Sequence, residues 1–97
     1  MNYYTLIYHL IDDYLPQREA YRPQHLKLAR QAYASGELIL AGALGDPPDR
    51  ALLIFRSADD SAAQAFAEND PYVQNGLVRR WEVQPWAVVI GDDAASN

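Results

Sequence analysis

Residues 3–11, Tyr-Tyr-Thr-Leu-Ile-Tyr-His-Leu-Ile, are β-branched, aromatic or aliphatic at almost every position. Such a run reads as a strand, and as a strand it has no polar face. Side chains alternate across a strand, so Leu6, Tyr8 and Leu10 point one way and Ile7 and Ile11 the other. A sheet bare on one side shows polar residues at alternate positions; here both faces require cover. That requirement constrains the fold more than any other feature of the chain. The last apolar stretch repeats it, with Trp86, Val88 and Ile90 opposing Ala87 and Val89.

Between these ends the punctuation is regular. Asp12-Asp13-Tyr14-Leu15-Pro16 breaks the first strand, and Gln17 to Ser35 reads as a helix with Leu26, Ala29, Ala32 and Tyr33 on one stripe. Pro23 should kink this helix or start its main segment, and Gly36 is a natural stop. Leu38 to Gly42 reads as a short strand, Gly45 to Asp49 as a loop, since its two prolines and two aspartates cannot continue a ladder, and Ala51 to Arg56 as a third strand. Ser61 followed by Gln64 is a capping-box pattern opening a second helix that runs to about Asn69. Asp70-Pro71 stops it. Leu77 to Ile90 reads as a long last strand with a break at Pro85, and Gly91 to Asn97 as a small, polar tail.

The order is βαββαβ, an α+β ferredoxin-like arrangement: a four-stranded antiparallel sheet with two helices on one face, reached through right-handed crossovers. Ninety-seven residues make one domain, since a domain takes roughly 100–200. Two helices cannot cover both faces of the sheet, so a second subunit is expected over the bare one, making a homodimer. Eight Lys and Arg against thirteen Asp and Glu leave a net charge of −5. That balance speaks against nucleic acid and against an anionic membrane surface, which need a basic footprint. With no cysteine there is no thiolate nucleophile or Cys-ligated metal. A small domain without disulfides suits a reducing compartment, and the opening Met-Asn-Tyr-Tyr-Thr lacks the basic region of a signal peptide. A cytoplasmic location is expected.

Few polar residues carry chemistry. His25 lies early in the first helix, with Arg18 and Arg22 seven and three residues before it on one helical side. Asp70 ends the second helix, the wrong end of the macrodipole for a carboxylate. In a βαββαβ sheet the two crossover helices are antiparallel, so the start of the first lies beside the end of the second, and His25 and Asp70 share a neighbourhood. A His held by a carboxylate is the usual oriented general base. Two plainer readings stand beside it: Asp before Pro is a common N-cap with Pro at the first helical position, and a helical His is often a hydrogen-bonded core residue. His9 lies far from His25 in sequence, which is poor evidence for metal, and no metal or cofactor is expected. Tyr3, Tyr4, Tyr8, Trp81 and Trp86 suit a core or an interface better than a pocket.

These residues carry a resemblance. Arg18-x3-Arg22-x2-His25-Leu26, Gly36-Glu37-Leu38 leading to Ala41-Gly42, Asp70-Pro71-Tyr72-Val73 with Gly76, and Val83-x-Pro85-Trp86 resemble the YCII-related (YciI-like) domain family, small dimeric proteins of the dimeric α/β-barrel group. The resemblance covers nearly the whole chain, from about Tyr3 to Gly91, so a domain is expected over residues 1–91, and the polar composition beyond it reads as a flexible tail over 92–97. The resemblance implies a catalytic pair of His25 and Asp70 in a cleft, with some relatives linked to the breakdown of chlorinated aromatics or to muconolactone-type chemistry. This chain departs from the family pattern at Ala43, where the family usually has proline, and in a short loop to Asp49.

The reading that follows is a small-molecule enzyme of lyase, isomerase or dehalogenase type. His25 is its acid/base and Asp70 orients His25. Arg18 or Arg22 holds an anionic group of the substrate, and Tyr72 is a proton donor or pocket wall. The alternatives are a non-catalytic domain that binds a small acidic or aromatic ligand, and a purely structural dimerisation module. The fold alone cannot choose among them.

Overall fold

Asn2–Leu10 forms strand β1, and a computed structural model describes the chain around it over residues 1–91. The tail expected at 92–97 lies outside the described residues. After β1 come helices α1 (Tyr14–Arg18) and α2 (Arg22–Ala34), strands β2 (Leu38–Gly45) and β3 (Pro48–Ser57), helices α3 (Ser61–Asn69) and α4 (Pro71–Gln74), and strand β4 (Val78–Trp86). The sheet order is β2-β3-β1-β4, every neighbouring pair antiparallel. This is the ferredoxin-like α+β arrangement expected from the sequence.

The first helical segment is two helices rather than one. Pro16 stands in the first turn of α1 and Pro23 at the start of α2, positions whose amides have no intrahelical partner anyway. Pro23 therefore starts the main segment and does not kink it. The loop expected from Gly45 to Asp49 is shorter than that. Strand β3 begins at Pro48, paired with Gly45, because proline is admissible as the first residue of a strand. The last strand ends at Trp86, four residues before Ile90, and it runs through Pro85, which lies opposite Tyr4. Strand β4 is an edge strand, where proline is tolerated. The capping box is also corrected. Asp60 is the N-cap of α3, and the Asp59 carboxylate accepts from the Ser61 amide at 3.0 Å and its hydroxyl at 2.6 Å.

The alternation on β1 holds. Leu6, Tyr8 and Leu10 are buried under the helices with Leu53, Phe55, Phe66 and Leu77; each such side chain contributes about 1.5–3 kcal/mol by leaving water. The other face carries Ile7 opposite Leu52, Leu52 opposite Gly42, Ile54 opposite Leu40, and Tyr3 opposite Trp86. Among the described residues no helix lies over it, and Leu40 and Trp86 remain 68% and 50% exposed. Among the described residues no helix is long and apolar enough to cross a membrane.

Candidate active site

Helix α2 lies over the sheet without burying a single residue completely. Of the stripe Leu26, Ala29, Ala32 and Tyr33 read from the sequence, Leu26, Ala29 and Tyr33 wall a cavity of about 520 Å³ whose other wall is β2 and β3, with Leu38, Ala41 and Leu53 among its residues, while Ala29 and Ala32 also pack against the core. Ala43, at the position where the resembled family usually has proline, also lines the cavity. At the α1 end the lining turns polar: Arg18, Arg22, His25 and Tyr72 meet there.

His25 is the first residue of α2 whose amide closes a helical turn, onto the Tyr21 carbonyl at 3.0 Å. Asp70 is the hinge between α3 and α4, extended in backbone (φ −78°, ψ 123°), and its Oδ1 accepts from the Tyr72 amide at 3.0 Å as an N-cap. The antiparallel helices bring the two together. His25 Nδ1 lies 2.9 Å from Asp70 Oδ1 and 3.0 Å from Oδ2. Asp70 is completely buried, and three groups point donors at its two oxygens, so it acts as an acceptor-only carboxylate. Nδ1 therefore carries the proton, and Nε2 on the opposite edge of the ring has no hydrogen-bond partner among the described residues. The capping role and the His partnership, separate readings of the sequence, are both true of one carboxylate.

The aromatic packing fixes the ring. Tyr72 stacks on His25 at 3.9 Å between centroids and 10° between planes, and Phe66 meets His25 edge-on at 6.3 Å. Tyr14 packs edge-on against Tyr72 at 5.7 Å, and the Arg18 guanidinium lies 5.4 Å over the Tyr14 ring, a favourable cation–π placement. Two buried polar atoms at this end, Arg18 Nε and Tyr72 Oη, make no close hydrogen bond among the described residues, although Arg18 Nε lies 4.0 Å from Glu19 Oε1 and Arg22 interacts with the Tyr72 hydroxyl. Leaving such groups unmade costs about 1–3 kcal/mol each, so they are poised for an incoming acceptor. Burial, with Tyr14 beside it, pushes the Tyr72 phenol up to about 12 against the pull of Arg22 and Arg18. Tyr72 is a neutral donor at ordinary pH.

All five residues singled out from the sequence, His25, Asp70, Arg18, Arg22 and Tyr72, are thus at one place. Two others were missed. Tyr8 donates its hydroxyl to Asp70 Oδ2 at 2.7 Å, and Tyr14 carries Arg18 and Tyr72. A signal for Tyr8 existed: it points inward between Leu6 and Leu10, and a buried tyrosine needs a partner for its hydroxyl. Tyr14 lies in a segment that reads as a break. His9 is elsewhere, on the outer face of the sheet. Its Nε2 is 2.9 Å from Glu82 Oε1, and this bond, then that from Gln84, holds the Glu82 carboxyl below its usual range. Among the described residues no three His, Asp or Glu side chains are placed to hold a metal ion.

The YCII-related domain matches residues 1–87 of the chain. No curated protein sequence matches it. Among solved structures it is similar to the 5-chloro-2-hydroxyhydroquinone dehydrochlorinase of Burkholderia phenoliruptrix AC1100, determined in complex with 2,5-dihydroxybenzoquinone. The TM-score is 0.73 and the identity 19%, over 96% of this chain and 99% of that one. It is also similar to protein Atu4242 of Agrobacterium tumefaciens, with a TM-score of 0.62 and 17% identity over 98% of this chain and 100% of the other. At these identities the likeness is one of fold.

Proposed function

Because the chain belongs to the YCII-related domain family, we propose that the cavity beside His25 is the active site of a small-molecule enzyme of lyase, isomerase or dehalogenase type. One observation carries the reading: His25 gives its Nδ1–H to a wholly buried carboxylate and lines the cavity with the rest of its ring. That is the arrangement of an oriented acid/base. Nε2 takes a proton from the substrate, and the imidazolium formed is stabilised by Asp70. In an elimination the electron pair released expels a halide from the neighbouring carbon. In an isomerisation the same Nε2 returns the proton to a different atom. Arg18 and Arg22 hold an anionic group of the substrate, and the Tyr72 hydroxyl donates to an oxygen that gains charge. The apolar wall of Leu26, Ala29 and Leu53 suits a small ring.

The structural neighbour's complex with a dihydroxybenzoquinone supports testing this chain with compounds of that kind. The experiment measures chloride release from 5-chloro-2-hydroxyhydroquinone and related chlorinated hydroxyquinols, with binding of 2,5-dihydroxybenzoquinone followed by calorimetry. The expected result is turnover that His25→Ala lowers by about 10²–10⁴-fold while binding changes little. A binding or accessory domain is the second reading, favoured by the Arg18 and Arg22 side chains that line the cavity beside the buried Tyr72 hydroxyl and can hold an anion without any proton transfer. It predicts binding that Arg18→Ala and Arg22→Ala abolish, no turnover, and no effect of His25→Ala. A folded protein that neither binds nor converts any of these compounds ends both readings for this ligand class.

The outer face of the sheet, in the same proposal, is covered by a second copy of the chain, so the working form is a homodimer. Its place is the cytoplasm, where a cysteine-free domain needs no oxidant.

A further inference from the structure

We infer that Tyr8 is a positioning residue of the His25–Asp70 pair, holding the carboxylate in one orientation and drawing off part of the charge that it presents to the imidazole. The inference rests on the reading of His25 as an acid/base and adds a residue to it. Tyr8 stands on β1 with its side chain turned under the helices, 1% exposed. Its hydroxyl is 2.7 Å from Asp70 Oδ2, the shortest of the contacts to that carboxylate. Oδ2 also faces His25 Nδ1 at 3.0 Å, while Oδ1 takes the Tyr72 amide and the other limb of the imidazole contact.

Each oxygen is thereby held by a donor other than His25, one a backbone amide and one a phenol. The carboxylate cannot rotate about its Cβ–Cγ bond without giving up Tyr8 or the α4 cap, and the imidazole plane is fixed with it. The second effect is electrostatic. Hydrogen bonds to a charged acceptor in a dry site are strong and share its charge. A phenol on Oδ2 leaves less negative charge to stabilise the imidazolium than a carboxylate bonded to His25 alone. The pair is therefore tuned toward the neutral imidazole that a base must present. Tyr8 does not itself act as the base. Burial, followed by the charge of Asp70 and the bond to it, drives the phenol far above its ordinary range, so it remains a donor at ordinary pH.

The other titratable groups around the pair are Arg18 and Tyr14 of α1, Arg22 of α2 and Tyr72 of α4. Among the described residues none of these gives Asp70 a side-chain hydrogen bond; Tyr72 reaches it through its amide. The charge on the carboxylate is therefore shared among His25, one amide and Tyr8, and only Tyr8 can be altered without touching the acid/base or the helix cap.

The test needs no substrate. Diethyl pyrocarbonate reacts with neutral imidazole, and mass spectrometry of the peptides separates His25 from His9. The rate of modification of His25 is followed against pH in the wild type, in Tyr8→Phe and in Asp70→Asn. The expected result is a midpoint displaced upward in Tyr8→Phe, by about half a pH unit or more, and downward in Asp70→Asn. A Tyr8→Phe profile superimposed on the wild type, with Asp70→Asn displaced, overturns the role of Tyr8 and leaves the His25–Asp70 pair standing. A profile unmoved in both variants removes the pair as well, and with it the proposed function. If Tyr8→Phe does not fold, site-specific 3,5-difluorotyrosine at position 8 keeps the shape and donates more strongly. Its midpoint must then move down, and no movement overturns the inference.

Discussion

Asp70 is asked to do two things with two oxygens, and the geometry lets it do both. It caps α4 through the Tyr72 amide and holds His25 and Tyr8 through its buried side chain. Asp70→Ala should therefore cost more than a lost cap, which is about 1 kcal/mol, because the Tyr8 hydroxyl would be left buried without a partner, at about 1–3 kcal/mol more. Urea unfolding checks it: a loss of about 2–4 kcal/mol is expected, with Asp70→Asn losing less, since asparagine also caps. A loss no larger than that of an exposed cap would show that the buried network contributes nothing. The two raised tyrosines make a second prediction. A group whose folded value lies above its unfolded value contributes stability that is whole below the unfolded value, about 10 for tyrosine. That stability is lost as pH rises past it toward the folded value. Burial raises both Tyr8 and Tyr72, so unfolding free energy should fall above pH 10, each tyrosine adding at most about 1.4 kcal/mol per pH unit. Tyr8→Phe should flatten that fall; an equally steep fall in the variant would mean that Tyr8 ionises as freely in the fold as out of it. At this scale the sequence was informative where topology could place a side chain. Helix antiparallelism brought His25 and Asp70 into one neighbourhood; that they touch, at 2.9 Å, was not legible. Topology could not locate Tyr14, whose role depends on a five-residue helix too short to leave a periodic signal.

Elements were legible wherever their punctuation was chemical, and misread where proline admits two meanings. Pro23 and Pro71 mark helix starts, as their missing amides allow. Pro47 and Pro48 suggest a loop, yet Pro48 opens β3, and the turn closes with Gly45 at φ +102°. That glycine is required. A Cβ on it would lie 3.0 Å from the Pro47 carbonyl oxygen and 3.1 Å from Asp49 Oδ1, and φ in that region disfavours any other residue. Gly45→Ala should destabilise the protein by about 1–3 kcal/mol, read as a lower urea midpoint. Because β2 forms one wall of the cavity, ligand binding should weaken with it. An alanine variant as stable as the wild type would mean that the turn relaxes at no cost. The apolar stripe of α2 was legible, but not what it faces. Periodicity reports which face of α2 is apolar; it does not distinguish a face pressed onto the sheet from one held off it by a cavity.

On the scale of the whole molecule one requirement is left over, and it is the one that opened the sequence. The helices cover the inner face of the sheet, save where the cavity separates α2 from β2 and β3. The outer face sets Ile7, Leu52 and the buried Ile54 side by side, flanked by Leu40 on β2 and Trp86 on β4, with Glu82, Gln84 and His9 beside them on β4 and β1. Large apolar side chains left exposed on a sheet face, as Leu40 and Trp86 are, suit an interaction site, and a self-complementary face closes by two-fold symmetry with a second copy. Residues 87–90 do not need this cover, since they lie beyond the last strand and Val88 and Ile90 do not alternate across it. The need for it stands on β1, β2 and β3. Leu40→Asp is the discriminating variant because Leu40 is 68% exposed in the single chain. A surface substitution there changes the stability of an isolated domain by no more than about 0.5 kcal/mol. In a dimer packed on this face it buries an unpaired charge, at a cost of about 3–5 kcal/mol, equivalent to a rise of roughly two to four orders of magnitude in the dissociation constant. Sedimentation at micromolar concentration should then show a wild-type dimer and a folded Leu40→Asp monomer. A wild-type monomer under those conditions, or a variant dimer as tight as the wild type, would show that this face meets water or something other than its own copy.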